Sequence, residues 1–364
     1  MSSEFTVKLL DWNATSNHRS MPWKGEPDPY KIWLSEIILQ QTRVEQGMPY
    51  YERFIAAFPT VHDLAAAPEQ EVFKLWEGLG YYTRCKNLIH SAKTISTLHN
   101  GKFPSSYEEI LKLKGIGPYT ASAIASFAFR EARAVVDGNV QRVIARYFGI
   151  STPIDSGSGK KMYNDIAQSL IDLENPGLYN QAIMDFGATI CKPRNPLCSQ
   201  CIQSEECEAL KHGFANMLPV KEKTLKKRSR WLYYFIIENG DSVYIRKRTE
   251  SDIWQSLHEF VLLETDGPEK DPAPAFLNKL LQRQAYAIRF TSDVYSQQLT
   301  HQRIQGKFIV VTIANDVSGL SKKPSSTIIK ELSQYELIPK SKVREYAFPK
   351  FINTFLLESP SSPI

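Results

Sequence analysis

Apolar residues recur every three or four positions along most of the first 215 residues. In an α-helix this spacing gathers the apolar side chains on one face, so the segment is predicted to be helical almost throughout. The segments of helix length are 31–44, 68–77, 85–99, 105–113, 119–129, 139–148, 160–173 and 178–189. The pattern therefore predicts an all-α N-terminal domain.

The pattern changes to strand-like runs in the last third of the chain. Residues 231–248 contain two β-rich runs on either side of an Asn-Gly pair, and residues 290–315 contain a second candidate hairpin. Helical spacing returns at 274–285 and at 341–357. Strands mixed with helices in this order predict an α+β domain. The expected boundaries are 1–215 for the helical domain, 216–230 for a basic linker, 231–358 for the α+β domain and 359–364 for a tail.

Length and composition fit two globular domains. A chain of 364 residues is longer than one ordinary core requires, and its six Trp, 17 Tyr and 18 Phe supply more aromatic surface than a disordered chain carries. The N-terminus lacks a basic segment followed by a long apolar run, and no stretch reaches the length of a membrane span. We expect a soluble, cytoplasmic and monomeric protein.

The net charge of +5 is concentrated in one segment. Residues 221–230 contain six basic residues and one acidic residue, which accounts for the whole excess. A basic joint between domains can contact DNA, but it is as often a solvated linker. Charge alone therefore does not identify a partner.

Four of the five cysteines lie within seventeen residues. Cys191, Cys198, Cys201 and Cys207 form the local cluster of a metal site rather than the dispersed pattern of a secreted disulfide framework. Zinc ribbons usually join two close cysteine pairs that lie far apart, whereas this set has one close pair. A compact 4Fe-4S cluster is the favoured occupant, and a zinc ion is the alternative. Cys85 is expected to be a buried small apolar residue.

A glycine-rich turn joins two predicted helices within residues 105–129. Gly115 and Gly117 are expected to adopt backbone angles that side chains disfavour, and Pro118 suits a first helical turn. Such a turn exposes backbone N–H groups at the positive end of a helix, and glycines let a phosphate approach closely. The segment has the form of a helix-hairpin-helix that anchors DNA by its backbone. An ordinary turn between two helices is the alternative.

Glu36 lies in an apolar helical segment, residues 32–39, in which Ser35 is the only other polar residue. A carboxyl group in such a helix is expected to lose much of its hydration, which raises its pKa toward the value that a general acid needs near neutral pH. The alternative is a side chain that reaches solvent through a gap in the packing.

Asp137 lies between an apolar run and the next predicted helix. Aspartate is a good helix N-cap, and this is its plain interpretation. A capping carboxylate is also held rigidly, so it can face a cleft in which positive charge develops on a substrate. Glu36 and Asp137 are therefore candidates for a pair of carboxyl groups that divide acid and anion roles between them.

Five segments together resemble the MutY family of adenine DNA glycosylases. They are RSMPWKGEPDPYKIWLSEIILQQTRVEQ, WEGLGYYTR, LKGIGPYTASAI, VVDGNVQRV and the four-cysteine loop, and they follow one another in order over the first 207 residues. The cysteine spacing is also similar to that of the endonuclease III superfamily, to which this family belongs. The resemblance implies a helix-hairpin-helix glycosylase domain that binds a 4Fe-4S cluster and double-stranded DNA.

The resemblance also implies an enzyme that removes adenine paired with 8-oxoguanine or with guanine. Glu36 would protonate the departing adenine at N7, and Asp137 would stabilise the sugar cation, supported by Tyr119 and Asn139. In the related bifunctional glycosylases a nucleophilic lysine follows the first glycine of the turn by four residues, and here that position is Tyr119. No Schiff base forms without the amine, so a monofunctional enzyme is implied.

The remaining site residues are carried over from the same motifs. They are Arg19, Trp23 and Gln181 around the extruded adenine, Gln41 and Tyr81 in the gap that it leaves, and Thr42 and Leu79 as further substrate contacts. Each has a plain alternative: core aromatics for Trp23 and Tyr81, a surface cation for Arg19, and solvated amides for Gln41 and Gln181.

The C-terminal domain resembles the Nudix-like domain with which MutY proteins inspect oxidised guanine. A Nudix hydrolase holds magnesium on a Glu-rich helix, but residues 271–330 contain no Glu, so binding rather than hydrolysis is expected. The family reads the oxidised base with a Phe-Ser-His loop. Leu299, Thr300 and His301 are the nearest match, which keeps a hydroxyl and the His but loses the Phe.

Two other functions stay open at this point. One is a glycosylase of the endonuclease III or thymine-mismatch type, and Tyr119 argues against its lyase form. The other is a protein that binds damaged DNA without catalysis. Glu36 and Asp137 argue against that alternative, because a protein that only binds phosphates gains nothing from two carboxylates near them.

Overall fold

The computed structural model describes residues 3–222, 228–282, 284–313 and 332–358. Its backbone divides into two compact units. The first unit comprises Met1–Ala67 and Asn87–Thr224, and the second comprises Pro68–Lys86 and Leu225–Ile364. Residues 223–227 of the expected linker and the expected tail at 359–364 lie outside the described residues.

The division of the chain differs from the expected boundaries in one respect. The segment Pro68–Lys86, expected in the helical domain, belongs to the second unit. Its contacts give the reason: the Lys74 ammonium donates to the carbonyl of Tyr346 at 3.1 Å, and the backbone N–H of Phe348 donates to the Glu77 carboxylate at 2.8 Å. Hydrogen bonds between residues so far apart in sequence leave no trace in local hydrophobic spacing.

Helices make up almost all of the regular structure before residue 220. In chain order they are α1 (Glu4–Thr15), α2 (Pro29–Leu39), α3 (Val44–Ala57), α4 (Val61–Ala66), α5 (Glu69–Trp76), α6 (Thr83–Leu98), α7 (Tyr107–Ile110), α8 (Pro118–Phe129), α9 (Gly138–Tyr147), α10 (Gly157–Leu170), α11 (Pro176–Thr189) and α12 (Glu208–Lys211). Single 3-10 turns lie at Cys198–Gln200 and Ala215–Met217. The predicted all-α character of this part of the chain is confirmed.

Two of the predicted helical segments were drawn too long. The segment 31–44 ends as a helix at Leu39, because Gln41 takes a left-handed backbone angle with φ of 56°, and α3 starts separately at Val44. The segment 105–113 contains only the single turn α7. In both places the turn next to the helix has the same apolar spacing as the helix itself, so spacing alone does not show where the helix ends.

One hydrophobic cluster of the first unit lies around α1, α9, α10 and α11. Its fully buried members include Leu9, Val140, Tyr163 and Ile183, one from each helix. Side-chain caps fix where these helices begin: the Ser156 hydroxyl accepts from the N–H of Gly159 at the start of α10. The cleft described below lies in this unit.

The second unit is built on one mixed sheet. Its strands in the described residues are β1 (Arg228–Asn239), β2 (Ser242–Lys247), β3 (His258–Glu259), β4 (Val261–Thr265), β5 (Tyr286–Thr291), β6 (Tyr295–Gln298), β7 (Gln302–Ile313) and β8 (Glu336–Pro339). The sheet is accompanied by α13 (Ala273–Leu281), a 3-10 turn at Lys340–Glu345 and α14 (Lys350–Glu358).

Strand β1 is the centre of this sheet. It runs parallel to β7 along almost its whole length, and on its other edge it pairs antiparallel first with β4 and then with β2. Strands β5 and β6 pair antiparallel with successive parts of β7, and β2 also pairs with β3 and β8. The parallel pair at the centre carries the buried residues Tyr233, Phe235, Ile309 and Val311.

Both predicted hairpins are present. Strands β1 and β2 turn at Gly240, whose φ is 58°, and β6 and β7 form the second hairpin, to which β5 adds a further strand. The predicted helix at 341–357 is wrong in its first half, where a 3-10 turn is followed by α14 from Lys350 onward. Pro349 is the cause, because proline has no N–H with which to continue a helix.

The predicted fold class is confirmed, with an all-α first part and a mixed sheet with helices, consistent with a Nudix-like domain, in the second. Within the described part of the chain, no helix combines the length and apolar character that crossing a membrane requires.

Candidate active site

One cleft in the first unit brings together most of the predicted site residues. Its volume is about 660 Å³. The predicted residues that line it are Arg19, Trp23, Glu36, Gln41, Thr42, Tyr119, Asp137, Asn139 and Gln181. They come from α2 and the loops on either side of it, from the first turns of α8 and α9, and from α11. The sequence analysis did not identify Met21, Met184 and Glu45, which line the same cleft.

Glu36 lies in the middle of α2 with 7 % of its surface exposed. The alternative of a solvent-facing side chain is therefore wrong. The pKa of Glu36 is raised to about 7, mainly by burial and to a smaller extent by the negative charge of Asp137, while a hydrogen bond with Tyr119 opposes the rise. A carboxyl group with this pKa holds its proton near neutrality and is suited to general acid chemistry.

Asp137 is the N-cap of α9, as its sequence context predicts. One carboxylate oxygen accepts from the backbone N–H groups of Asn139 and Val140 at 2.8 and 2.7 Å, and the other accepts from the Asn139 amide at 2.8 Å. Burial raises the pKa of Asp137, and the hydrogen bonds from Val140 and Asn139 oppose that rise. The cap and a role in the cleft are compatible, because the same carboxylate serves the helix and lines the cleft.

Tyr119 lies in the first turn of α8 and faces both carboxyl groups. Burial raises the pKa of its phenol well above the usual value, and the charges of Glu36 and Asp137 add to the rise. The phenol hydroxyl also has the Met184 sulfur as an acceptor at 3.7 Å. Tyr119 is therefore a neutral hydrogen-bonding group beside Glu36.

Arg19 and Gln181 are joined by a residue that the sequence analysis missed. Asp185 is completely buried on α11 and accepts from the Arg19 guanidinium at 2.8 Å and from the Gln181 amide at 3.0 Å. The spacing of four residues between Gln181 and Asp185 could have indicated this contact. Arg19 is accordingly a cleft residue that is paired with a buried carboxylate, with 28 % of its side chain still exposed.

The predicted aromatic residues occupy different environments. Trp23 is largely buried, packs edge-on against Tyr51 and also lines the cleft, so it is both a core residue and a cleft residue. Gln41 is exposed at the turn after α2. Tyr81 is 42 % exposed and has a left-handed backbone with φ of 49°, so the interpretation as a core aromatic is wrong.

A separate cavity of about 450 Å³ lies within the second unit. The predicted residues that line it are Leu79, Tyr81, Thr300 and His301, with Leu299 beside them. Leu299, Thr300 and His301 form the turn between β6 and β7, and the Thr300 hydroxyl is hydrogen bonded to that of Tyr81. Within the second unit, the segment that includes Tyr81 and the β6–β7 turn therefore line the same cavity.

The glycine-rich turn is only partly as predicted. Gly115 has φ of 82°, and a Cβ there would lie 2.6 Å from Asn87, so this position requires glycine. Gly117 has ordinary extended angles and serves as N-cap of α8, so the expectation of unusual angles at this position is wrong. A Cβ at Gly117 would meet no protein atom, which leaves open space in front of the helix N-terminus.

The four clustered cysteines line one small cavity of about 30 Å³ in the first unit. Among the described residues, including these four cysteines, no three Cys, His, Asp or Glu side chains converge closely enough to hold a single metal ion. Four thiols around one cavity are a donor set compatible with the metal centre expected from the sequence. Cys85 is separate from them and fully buried, as expected.

Two buried arginines of α9 connect the cysteine loop with the start of that helix. Arg142 donates to the Cys191 carbonyl and to the Asn139 side chain, both at 2.8 Å. Arg146 donates to the Cys191 sulfur at 3.4 Å and to the Lys192 carbonyl at 2.8 Å. Positive charge beside these thiols favours an anionic centre among them.

Comparison with known proteins agrees with this geometry. The family described as HhH-GPD superfamily base excision DNA repair protein matches residues 34–168. An adenine DNA glycosylase of Buchnera aphidicola subsp. Acyrthosiphon pisum is 37% identical over 259 residues, which cover 70% of this chain and 73% of that protein. The human adenine DNA glycosylase is 40% identical over 214 residues, or 56% of this chain and 39% of that protein.

A solved structure points to the same superfamily. That of a thermostable thymine-DNA glycosylase is 31% identical, with a TM-score of 0.53, and covers 57% of this chain and 95% of that chain. The Buchnera relative spans most of the length of both sequences, and it is an adenine DNA glycosylase rather than a thymine-DNA glycosylase. The chain belongs to the adenine DNA glycosylase family.

Proposed function

We propose that this protein excises adenine from double-stranded DNA by hydrolysing its N-glycosidic bond, as a step of base excision repair. The observation that carries the proposal is that Glu36, Asp137 and Tyr119 line one cleft, with the Glu36 carboxyl hydrogen bonded to Tyr119 and influenced by the charge of Asp137. Family membership identifies the base, and the two carboxyl groups account for the chemistry.

Glu36 is the general acid of the proposed reaction. Its proton goes to N7 of the extruded adenine, and the bond between C1′ and N9 then breaks with its electron pair leaving on the base. The pKa of about 7 keeps that proton available near neutral pH. After departure of the base, the resulting carboxylate takes the proton from the water that adds to C1′.

Asp137 stabilises the positive charge that develops on the deoxyribose. Its carboxylate is held by three hydrogen bonds from Asn139 and Val140, so it needs no rearrangement when the charge appears. The Asn139 amide is itself held by Arg142. A preorganised anion of this kind lowers the barrier to bond cleavage more than a mobile one does.

The proposed enzyme is monofunctional. The position at which related lyases carry a nucleophilic lysine is Tyr119, and none of the described residues that line the cleft is a lysine. Lys24 is close by, but its ammonium is bound to the Asp185 carboxylate and to the Arg19 carbonyl. Without an amine at C1′ no Schiff base forms, so the product is an abasic site in an intact strand.

The proposed substrate is adenine opposite 8-oxoguanine, with adenine opposite guanine as the weaker substrate. The cavity around Tyr81 and Thr300 in the second unit supports a site for the opposite base, because both hydroxyls and His301 offer hydrogen-bonding groups there. The missing phenylalanine, replaced by Leu299, predicts a weaker preference for the oxidised base than the Phe-Ser-His loop gives.

The four cysteines are proposed to hold a 4Fe-4S cluster. Cys191, Cys198, Cys201 and Cys207 would supply its four thiolates, which leave no open coordination position, so the chemistry that the cluster supplies is structural rather than hydrolytic. The loop that they hold carries Lys192 and would contact DNA phosphates. The backbone N–H groups at Gly115 and Gly117 are proposed as a second phosphate contact.

The test is the release of free adenine from a duplex with adenine opposite 8-oxoguanine, under single-turnover conditions. We expect wild type to release adenine without cutting the strand. Glu36→Gln should bind the duplex and release adenine at least about a hundredfold more slowly, as general acid catalysis typically contributes. Glu45→Gln is the matched control, because Glu45 lines the same cleft but is exposed.

Each other outcome has a definite meaning. Strand cleavage at the abasic site by pure wild-type enzyme would contradict the monofunctional assignment. Binding without release of adenine would favour the alternative of a protein that binds damaged DNA without catalysis. Release of thymine from a duplex with thymine opposite guanine would favour the thymine-mismatch alternative. Equal rates for Glu36→Gln and wild type would remove Glu36 from the mechanism.

A further inference from the structure

Asp185 is the most completely buried carboxylate next to the cleft, and its environment is unusual. Its side chain is inaccessible to solvent, yet it accepts hydrogen bonds from four side chains. The donors are Asn17 at 2.9 Å, Arg19 at 2.8 Å, Lys24 at 3.1 Å and Gln181 at 3.0 Å. Burial of a charge is costly, so the hydrogen bonds from these four partners must offset the cost of keeping this carboxylate away from water.

The two oxygens of Asp185 have different partners. Oδ1 accepts from Arg19 and Gln181, which both line the cleft. Oδ2 accepts from Asn17 and Lys24, which hold the carboxylate from the side of the N-terminal loop. One oxygen atom thus fixes two cleft residues next to each other, while the other oxygen fixes the carboxylate itself.

This arrangement determines which way round the Gln181 amide lies. An ionised carboxylate is an acceptor only, so the amide must turn its NH₂ group toward Asp185 and keep its carbonyl oxygen for other partners. In the described structure that carbonyl oxygen has no hydrogen bond from the protein. Gln181 therefore offers an acceptor to the cleft, and the Arg19 guanidinium, with N–H groups to spare beside it, offers a donor.

An acceptor beside a donor matches one class of purine. Adenine carries a 6-amino donor next to ring nitrogens that are acceptors. Hypoxanthine and guanine carry a 6-oxo acceptor at that position, so the carbonyl of Gln181 would face another oxygen. A site that reads a polar group in this way rejects the analogue with the wrong pattern far more strongly than shape alone does.

We propose that Asp185 is a positioning residue that sets the specificity of the cleft for 6-amino purines over 6-oxo purines, through the orientation of Gln181 and Arg19. The proposal rests on the proposed function, because it takes an extruded purine as the occupant of the cleft. Asp185 would act without touching the substrate. Its effect on Gln181 and Arg19 would explain how the cleft distinguishes adenine from hypoxanthine, which has nearly the same shape.

The experiment compares three duplexes that carry adenine, hypoxanthine or unsubstituted purine opposite 8-oxoguanine. Single-turnover rates of base release are measured for wild type and for Asp185→Asn. An asparagine of the same shape can donate as well as accept, so it no longer dictates the orientation of the Gln181 amide. We expect the ratio of adenine to hypoxanthine release to fall at least about tenfold, which corresponds to the loss of roughly one hydrogen bond.

A purely structural role for Asp185 would give a different result. In that case Asp185→Asn would slow release from all three duplexes by the same factor, the ratio would stay constant, and the proposal would be overturned. Thermal unfolding and DNA binding of the variant are measured in parallel. If wild type itself releases no adenine, the proposed function fails rather than the role of Asp185, so the two failures are distinguishable.

A second variant keeps the proposal testable if Asp185→Asn does not fold. Gln181→Met replaces the amide with an apolar side chain of similar length and leaves the pairing of Asp185 with Arg19 in place. We expect this variant to lose most of the preference for adenine over unsubstituted purine, because the acceptor for the 6-amino group is gone. An unchanged preference would show that the cleft does not read that group, and would overturn the proposal.

Discussion

At the scale of single residues, the burial of Glu36 serves catalysis at the expense of stability. Its pKa is raised from 4.5 to about 7 because the folded protein withholds water from the carboxylate. The unfolded chain imposes no such cost. Between pH 4.5 and about pH 7, Glu36 holds more protons in the folded state than in the unfolded state. The free energy of unfolding therefore falls as the pH rises through this range.

The Glu36→Gln variant is therefore expected to be more stable than wild type. Glutamine has the same shape and no charge, so at about pH 8 the variant should exceed wild type in free energy of unfolding by as much as about 3 kcal/mol, and at about pH 4 by almost nothing. Urea unfolding of the first unit at the two pH values provides the measurement. A difference that does not depend on pH would show that the charge of Glu36 is not what destabilises the fold.

The same pKa predicts the pH dependence of the reaction. A general acid acts while it is protonated, so single-turnover release of adenine should decline by about tenfold per unit above about pH 7. The raised pKa of Asp137 adds an acid limb, because that carboxylate must be ionised to stabilise a cation. Glu36→Gln should lose the decline at high pH. A wild-type rate that keeps rising through pH 8 would contradict the role of Glu36 as acid.

At the scale of secondary structure elements, helix α9 links the cysteine loop to the carboxylate of the cleft. Asp137 caps its first turn, and Asn139 lies in that turn. One turn further on, Arg142 holds both the Asn139 side chain and the Cys191 carbonyl. The orientation of Asn139, and through it that of Asp137, therefore depends on an arginine that does not line the cleft.

We predict that Arg142→Met slows adenine release by about tenfold to hundredfold with little change in affinity for the duplex, because small displacements of a reacting group cost rate rather than binding. Gln141→Ala, at the neighbouring position on the same helix, is the control and should behave like wild type. Single-turnover rates and equilibrium binding separate the two effects. A variant that loses rate and affinity in equal measure would indicate general damage to the fold instead.

The element scale also shows what the sequence could and could not predict. The locations of α8, α9 and α11 followed from apolar spacing, and Glu36 stood out because it interrupts an apolar helix. The turn at Gln41 could not be predicted, because residues other than glycine rarely adopt the left-handed backbone angle that Gln41 has. Asp185 was missed because its importance lies in partners from a loop far away in sequence.

At the scale of the whole molecule, the two units do not follow the order of the chain. The segment Pro68–Lys86 is flanked on both sides by residues of the first unit and yet belongs to the second. It carries Tyr81, which the resemblance to MutY placed in the gap left by the extruded adenine, into the same cavity as Thr300. A boundary drawn near residue 216 therefore describes the helices correctly but divides the second unit.

This organisation predicts how a truncated chain behaves. A fragment that ends at residue 224 lacks the carbonyl of Tyr346 and the N–H of Phe348, to which Lys74 and Glu77 are bound in the full chain. Local stability falls when such contacts are removed, so trypsin should cut after Lys74 at least about tenfold faster in the fragment than in the full-length protein. Peptide mass spectrometry over a time course measures both rates.

Protection within α9 is the internal control for this experiment, because Arg146 is buried among residues of the first unit alone and should be cut slowly in both chains. If the fragment is cut rapidly at both places, the first unit has not folded, and the full-length chain with Lys74→Met and Glu77→Gln replaces it. If Lys74 is protected equally in fragment and full-length protein, helix α5 is held by the first unit. The assignment of Pro68–Lys86 to the second unit would then be wrong, and Tyr81 would have to be considered with the first unit and with the gap that the extruded adenine leaves, where the resemblance to MutY placed it.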